Sequence, residues 1–258
     1  MLVVDDISVA LSRSPVLHNI SLTARPGTLT AIVGPNGSGK TTLMRAMTGE
    51  VAYQGKISLN DLDVARARPW QLAGMRAVMA QETQLAFPFT VLEVIQLGLT
   101  SGENADARDL PLRALAEVDL SKHASRNYQD LSGGERQRVQ LARALVQVWN
   151  PIGTAGARWL FLDEPVASLD LGHQLQVMRL ARRFADAGGG VIAVMHDLNL
   201  SAMFADKVAL LAEGALVAAG PPDAVLTDAQ LSRAYGCAIR TNVMPSSGTW
   251  LLPQAVAG

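Results

Sequence analysis

Cysteine and aromatic residues are scarce in this sequence. Cys237 is the only cysteine among 258 residues, which excludes an internal disulfide and fits a reducing compartment. Aromatic residues make up 5% of the chain and apolar residues 49%, so the expected core is largely aliphatic. This length allows one large domain or a core with a smaller lobe.

An excess of charge and a long apolar run are also missing. The chain carries 22 Lys and Arg against 23 Asp and Glu, a formal net charge of −1, with no long basic block. This balance argues against non-specific nucleic-acid binding, so we expect no nucleic-acid partner. No apolar run approaches the ~18–20 residues that span a bilayer, and Met1–Asp6 lacks the pattern of a secretory signal. A membrane role would therefore need a partner.

Strand and helix signals alternate along much of the chain, which is typical of a parallel sheet with crossover helices. Apolar runs predict strands at Leu2–Val4, Ile7–Leu11, Ile20–Thr23, Leu29–Val33, Gly55–Leu59, Ala77–Ala80, Trp159–Asp163, Val191–Met195, Val208–Leu211 and Ala215–Ala218. Periodicity and capping signals predict helices at 42–48, 90–98, Leu112–Val118, Glu135–Val148, Leu171–Ala187 and Leu198–Phe204. In the tail we expect two short helices and then apolar strands, with a turn at Pro245–Gly248.

A glycine-rich segment follows the predicted strand Leu29–Val33 and precedes a predicted helix. It has the spacing G-x-x-x-x-G-K-[ST] and consists of Gly34, Pro35, Asn36, Gly37, Ser38, Gly39, Lys40, Thr41 and Thr42. Glycines leave backbone N–H groups bare for a polyphosphate, and the helix start adds further donors. Lys40 can reach terminal phosphates, and the Thr41 hydroxyl can hold Mg²⁺. A turn without a ligand is the alternative, but the flanking strand and helix favour a nucleoside triphosphate with magnesium.

A predicted buried strand ends in two adjacent carboxylates, Asp163 and Glu164. Because side chains alternate along a strand, the two acids should point in different directions. One can support magnesium while the other faces an attacking water. A solvated acidic turn is the alternative, and the phosphate loop makes it the minor one.

A second glycine-containing helix start lies at Leu131–Gln137. Ser132 and Glu135 have capping-box spacing, but capping does not explain Gly133 and Gly134, which weaken a helix start. The bare N–H groups of these glycines would form a second anion-binding helix N-terminus.

Two further candidates, Gln81 and His196, each follow a predicted strand, where doubly wound folds bind ligands. A histidine in such a position is more often structural, and Gln81 alone carries no signal. The interpretation of these two residues as site residues therefore depends on the other motifs.

The motifs together resemble the nucleotide-binding subunit of an ATP-binding cassette (ABC) transporter, over residues 1 to about 220. The motif matches, in chain order, are Gly34–Thr42 with the Walker A loop, Gln81 with the Q-loop glutamine, Leu131–Gln137 with the signature motif, Leu160–Asp163 with the Walker B strand, Glu164 with the catalytic glutamate, Ala167–Asp170 with the D-loop and His196 with the switch histidine. The signature motif is specific to this superfamily.

The resemblance implies roles for these residues. Glu164, His196 and Gln81 would be catalytic, Thr41, Gln81 and Asp163 would hold Mg²⁺, and ATP would contact Gly34–Thr42 together with Ser132, Gly133 and Gly134. Many family members stack an aromatic residue on adenine near position 11, where this chain has Leu11. The resemblance therefore implies either a weaker contact with the base or a contact made by Arg13.

The implied fold is α/β, a P-loop NTPase core with a mostly parallel sheet, an antiparallel β N-terminal region and an inserted helical lobe. Residues 1–81 and 148–222 would form the nucleotide-binding core, 82–147 the helical signalling lobe and 223–258 a C-terminal extension.

Within the family, the chain resembles importers of haem, ferric siderophores and vitamin B12, and the haem branch most. The residues that carry this resemblance are Leu85–Val91, the inserted Trp149–Arg158, Asp170–Gln174 and His196–Leu200. The resemblance implies a transport-coupled ATPase that is peripheral to the cytoplasmic face of a bacterial inner membrane. Its implied partners are a second copy of the chain, a transmembrane permease dimer and, through the permease, a periplasmic or surface substrate-binding protein.

Three other functions compete with this interpretation. A soluble ABC ATPase that acts on ribosomes or DNA usually duplicates the cassette or inserts long charged coiled coils, and this chain does neither. A P-loop kinase would not need Leu131–Gln137. A non-catalytic binding module is disfavoured because Lys40, Asp163, Glu164 and His196 are all present.

Overall fold

A computed structural model describes residues 1–80, 87–100, 107–249 and 251–255. The strands are β1 (Leu2–Leu11), β2 (Ser14–Ala24), β3 (Leu29–Val33), β4 (Gln54–Leu59), β5 (Leu62–Asp63), β6 (Arg76–Met79), β7 (Ile152–Gly153), β8 (Gly156–Ala157), β9 (Trp159–Asp163), β10 (Gly190–Val194), β11 (Lys207–Ala212) and β12 (Ala215–Gly220). The helices are α1 (Lys40–Met47), α2 (Pro69–Met75), α3 (Val91–Gln96), α4 (Leu110–Glu117), α5 (Gly133–Gln147), α6 (Leu171–Asp186), α7 (Leu198–Phe204), α8 (Pro222–Val225) and α9 (Asp228–Tyr235). Within these ranges, no helix has both the length and the apolar character needed to cross a membrane.

A six-stranded sheet with the order β12-β11-β3-β10-β9-β6 organises the molecule. The strands from β11 to β6 are parallel to their neighbours, and only the edge strand β12 is antiparallel. The predicted mostly parallel sheet is therefore confirmed. Because parallel strands end at the same edge, the residues that follow β3, β9 and β10 meet there.

Both faces of this sheet are buried. Alternation along the strands sends Ile32 and Phe161 into a cluster with α1, α2 and the N-terminal strands, whereas Ala31 and Leu160 lie in a cluster with the helices from α3 to α9. The N-terminal strands form a separate antiparallel sheet with the order β2-β1-β4-β5, as predicted. The six-stranded sheet is thus the middle layer of three.

Helices α3, α4 and α5 pack together between β6 and β9 in chain order, which confirms the predicted helical insertion. The capping box of Thr90 and Glu93 starts α3 as predicted. A Cβ atom on Gly98 would lie 2.2 Å from the carbonyl oxygen of Arg143, so this glycine allows the turn after α3 to touch the backbone of α5. The helix does not stop at Gly98 but tightens into a 3-10 turn over Leu97–Thr100.

Three details differ from the sequence prediction. β1 is one continuous strand, because Asp6 adopts a positive φ of 49° at an irregularity in the pairing with β2. Helix α2 was not predicted. The apolar strands expected in the tail are wrong for residues 240–249, which consist of bends and irregular backbone. The N–H and hydroxyl of Thr241 donate to Asp228 Oδ1, both at 2.7 Å, and hold this segment to α9.

Candidate functional site

The phosphate loop joins β3 to α1 and is shaped by close backbone contacts. Gly34 has a φ of 148°, and a Cβ there would lie 2.0 Å from the carbonyl oxygen of Leu211. Gly39 has a φ of 96°, and its Cβ would lie 2.5 Å from a methyl carbon of Leu17. These glycines are therefore required by the neighbouring strands as well as by any ligand. Gly37, with a φ of 77°, faces open space.

The Lys40 ammonium is buried inside this loop. Its Nζ donates to the carbonyl oxygens of Gly34 at 2.9 Å and Pro35 at 3.0 Å, and the residue is 5% exposed. Burial lowers the pKa of Lys40, and the charges of Glu164 and Asp163 oppose that shift. The buried hydroxyl of Ser38 has no hydrogen-bond partner in the described part of the chain. A buried cation and an unpaired hydroxyl suit a polyphosphate.

Asp163 ends β9 beside the first turn of α1. The Thr41 hydroxyl donates to its Oδ1 at 3.2 Å, and Asp163 is 4% exposed. Burial raises the pKa of Asp163 and Glu164 adds to that rise, whereas the Thr41 bond and the Lys40 charge lower it. A hydroxyl and a carboxylate oxygen are hard ligands of the kind that Mg²⁺ prefers.

A cavity of about 330 Å³ adjoins this pair of oxygen ligands. Its lining residues are Thr41, Met44, Arg45, Thr48, Glu50, Val78, Ala80 and Asp163. The cavity leads from the end of β6 to the carboxylate, so the Thr41–Asp163 pair borders open space.

Glu164 and His196 meet beyond the ends of β9 and β10. His196 Nε2 lies 2.5 Å from Glu164 Oε1, and the side chains are 43% and 14% exposed. Glu164 has a φ of 50°, an uncommon conformation for a residue with a side chain, and its N–H donates to the Val194 carbonyl oxygen at 3.1 Å. At this turn the Glu164 carboxylate contacts the histidine, whereas the Asp163 carboxylate accepts from Thr41.

The second helix start is a capping box at the N-terminus of α5. The Ser132 hydroxyl accepts from the N–H of Glu135 at 3.3 Å, and Glu135 Oε2 accepts from the N–H of Ser132 at 2.7 Å. The Ser132 backbone bond is the main reason that the pKa of Glu135 is lowered. A Cβ on Gly134 would lie 3.0 Å from the carbonyl oxygen of Ser168, while at Gly133 the nearest atom is 3.9 Å away. Packing therefore explains Gly134 but leaves Gly133 facing space.

The predicted site residues thus fall into two groups. The structure brings together Lys40, Thr41, Asp163, Glu164 and His196 at one sheet edge. No hydrogen bond or ion pair among the described residues joins the Ser132 turn to the phosphate loop. Arg13 is exposed in the turn between β1 and β2, with a φ of 70°, and Gln81 lies outside the described residues.

Two contacts at this edge had no role in the sequence prediction. Gln137 Nε2 donates to the Glu164 carbonyl oxygen at 2.6 Å. Tyr235, at the end of α9, has a pKa raised by burial and partly offset by a hydrogen bond from the backbone of Gly34. Neither contact has a local sequence signal, because the partners are distant in the chain.

Comparison with known proteins identifies the family. The family model described as "ABC transporter" matches residues 17–167, a span that includes the phosphate loop, the Ser132 turn and β9. The chain belongs to the ABC transporter family. Its place in that family makes it an ATP-binding chain, and the predicted fold class is confirmed.

Relatives of this ABC transporter chain match over nearly its whole length. A protein of Jannaschia sp. (strain CCS1) named "Hemin import ATP-binding protein HmuV" is 59% identical over 98% of this chain and 94% of its own. A protein of the same name from Roseobacter denitrificans is 57% identical over 97% and 96%. A solved structure of a nucleotide-free ATP-binding cassette from an ABC transporter covers 91% of this chain and 98% of its own, with a TM-score of 0.77 and 23% identity.

Replacement of Asp163 by Asn should stabilise the protein in the absence of nucleotide and metal. The substitution keeps the side-chain size and removes a charge whose net environment is unfavourable, so the free energy of unfolding should rise by about 1 kcal/mol. Urea denaturation at pH 7 measures this change. Asp61→Asn, at an exposed turn, is the control and should have little effect. A loss of stability in Asp163→Asn alone would contradict the unfavourable burial of this charge.

Proposed function

We propose that this chain is the ATP-hydrolysing subunit of a bacterial haem importer. The name shared by relatives that are 57% and 59% identical supports haem as the cargo. The subunit would act as a homodimer on the cytoplasmic face of the inner membrane, peripheral to a transmembrane permease dimer. A periplasmic or surface substrate-binding protein would deliver haem to that permease.

Binding of the nucleotide rests on the phosphate loop. The loop amides and the Lys40 ammonium would hold the phosphates of ATP, and the unpaired Ser38 hydroxyl would gain an acceptor. Thr41 and Asp163, with Gln81, would hold Mg²⁺, which supplies positive charge to the transferring phosphate when bound. Arg13 would contact the adenine base.

Hydrolysis would depend on the Glu164–His196 pair, and the 2.5 Å contact between them is the observation that carries the proposal. Glu164 would orient a water molecule and accept its proton. His196 would fix the direction of the Glu164 carboxylate and contact the departing phosphate. The buried Asp163 remains available to the cation because its side chain points to the Thr41 side of the strand end.

The second anion site supports a dimer. Within one chain, no hydrogen bond or ion pair among the described residues links the Ser132 turn to the phosphate loop, although both present helix N-termini. A second copy related by a two-fold axis would bring Ser132, Gly133 and Gly134 over the phosphates held by Gly34–Thr42 of the first. ATP would then close the dimer, and hydrolysis would remove the bridging charge and open it.

The domain division follows from this mechanism. Residues 1–81 and 148–222 would hold the nucleotide, and the helical lobe 82–147 would carry the motion of dimer closure to the permease. The extension 223–258 would brace the core, since Tyr235 contacts Gly34 and Gln254 donates to the Asn199 carbonyl oxygen at 3.3 Å.

Replacement of Glu164 by Gln should slow ATP turnover by about 100-fold or more, because a general base is lost. ATP should still bind, since the phosphate loop is unchanged. Lys40→Ala is the complementary variant and should weaken ATP binding. Steady-state phosphate release and equilibrium binding of ATP measure both effects. Near-normal turnover in Glu164→Gln would refute its role.

Mixed dimers test whether the site is shared between two copies. Lys40→Ala disables the phosphate loop, and Gly133→Asp places a negative charge where the structure has room for it. If each site combines the phosphate loop of one copy with the Ser132 turn of the other, substitutions on different copies fall in the same site. The other site then stays intact, and about half the activity remains. With both on one copy, both shared sites are defective and activity is lost.

If each site were confined to a single chain, the results would be reversed. Substitutions on different copies would abolish activity, and both substitutions on one copy would leave about half of it. Differently tagged copies that are co-expressed and purified through both tags provide the two arrangements. The ATPase rate of each dimer is the measurement, with the doubly tagged wild-type dimer as the reference.

The cargo is tested with the chain and its co-purifying permease in proteoliposomes. Haem should accumulate inside the vesicles in the presence of ATP, and Glu164→Gln should abolish the uptake. Uptake of a ferric siderophore or cobalamin in place of haem would show that haem is the wrong cargo and identify the right one. Purification of the chain with ribosomes, without a permease, would favour a soluble ABC ATPase.

A further inference from the structure

Gln137 links the signature helix α5 to the catalytic turn of the same chain. Its Nε2 donates to the carbonyl oxygen of Glu164 at 2.6 Å, and its Oε1 accepts from the N–H of Ser168 at 3.3 Å. The two partners are a backbone acceptor and a backbone donor, so both halves of the amide are matched and its orientation is determined. One side chain on α5 therefore spans the start and the middle of the turn that follows β9.

The backbone of Glu164 is held from two sides. Its N–H donates to the Val194 carbonyl oxygen on β10, and its C=O accepts from Gln137 on α5. A positive φ of 50° costs conformational energy in a residue with a side chain, so surrounding contacts must maintain it. The α5 contact is thus part of what sets the direction of the carboxylate.

The first turn of α5 packs against the same segment that Gln137 contacts. Gly134 packs directly against the Ser168 backbone, and Gln137 lies one helical turn further along on the same face. On the far side of the turn, the α6 residue Gln174 donates to the carbonyl oxygens of Val166 at 3.3 Å and Leu169 at 3.0 Å. A shift of the α5 N-terminus would therefore be transmitted to the start of the turn, where Glu164 lies.

We propose that Gln137 is a positioning residue that couples the location of the α5 N-terminus to the backbone of Glu164. The inference rests on the proposed function, in which the α5 N-terminus of each copy covers the nucleotide bound by the other. Closure over one nucleotide would then adjust the carboxylate that acts on the second. A purely structural role, in which Gln137 only stabilises the packing of α5, predicts different kinetics.

The test compares full-length variants on ATP with Mg²⁺. Gln137→Met keeps the length of the side chain and loses both hydrogen bonds. Gln137→Glu keeps the acceptor for Ser168 but cannot donate to Glu164. If the bond to Glu164 positions the carboxylate, both variants should lower kcat by about tenfold or more, with KM and the Kd for ATP within about twofold.

Gln147→Met is the matched control on the same helix. The Gln147 amide also donates to two backbone carbonyl oxygens, those of Ala73 and Arg76, both at 2.9 Å. This variant should lose a similar amount of thermal stability and keep kcat within about twofold. Thermal denaturation of all variants accompanies the kinetics.

Two results would overturn the inference. A kcat within twofold of the wild type in Gln137→Met would show that Glu164 is positioned without this bond. Equal losses of kcat in Gln137→Met and Gln147→Met, in proportion to lost stability, would assign both residues a structural role. Failure of the proposed function is distinguishable, since Glu164→Gln itself would then retain turnover.

Discussion

Lys40 and Asp163 are oppositely charged, are almost fully buried, and lie close enough at the edge of the six-stranded sheet that each alters the pKa of the other. Burial of charge opposes folding unless hydrogen bonds and opposite charges compensate it. Here the loop carbonyl oxygens of Gly34 and Pro35 satisfy the ammonium, and the Thr41 hydroxyl satisfies part of the carboxylate. The rest of the structure maintains this arrangement by fixing the ends of β3 and β9 beside α1.

Close backbone approaches keep the surrounding loops in place. Gly34 allows the phosphate loop to touch β11, and Gly134 allows the α5 N-terminus to touch the turn after β9. In both cases a glycine that could be explained by ligand binding alone is also required by packing inside the chain. The phosphate loop and the α5 N-terminus are therefore anchored to the same parallel sheet, since α1 bonds Asp163 through Thr41 and α5 bonds Glu164 through Gln137.

Local signals predicted the elements well where a cap or a strongly apolar run marked the boundary. β3, β9 and α7 have the predicted bounds, and Asp170 caps α6 through the N–H of His173. The prediction of strands failed in the tail, where side-chain hydrogen bonds to the backbone hold the chain in an irregular conformation. Residues 240–249 are apolar in part but form bends and irregular backbone. The Asp228 carboxylate accepts from the N–H and hydroxyl of Thr241, and the Ser232 hydroxyl accepts from the N–H of Ile239, so α9 holds the start of this segment.

The sequence by itself determined the chemistry of the site, since the spacing from Gly34 to Thr41 and the adjacent acids after β9 are local patterns that specify backbone donors, a cation and carboxylates. Only the tertiary structure decided which side chains meet. The contact of His196 with Glu164 and that of Gln137 with the same residue join positions 32 and 27 residues apart. Such pairings have no local signal, because they depend on the order of strands in the sheet and on where α5 packs against it.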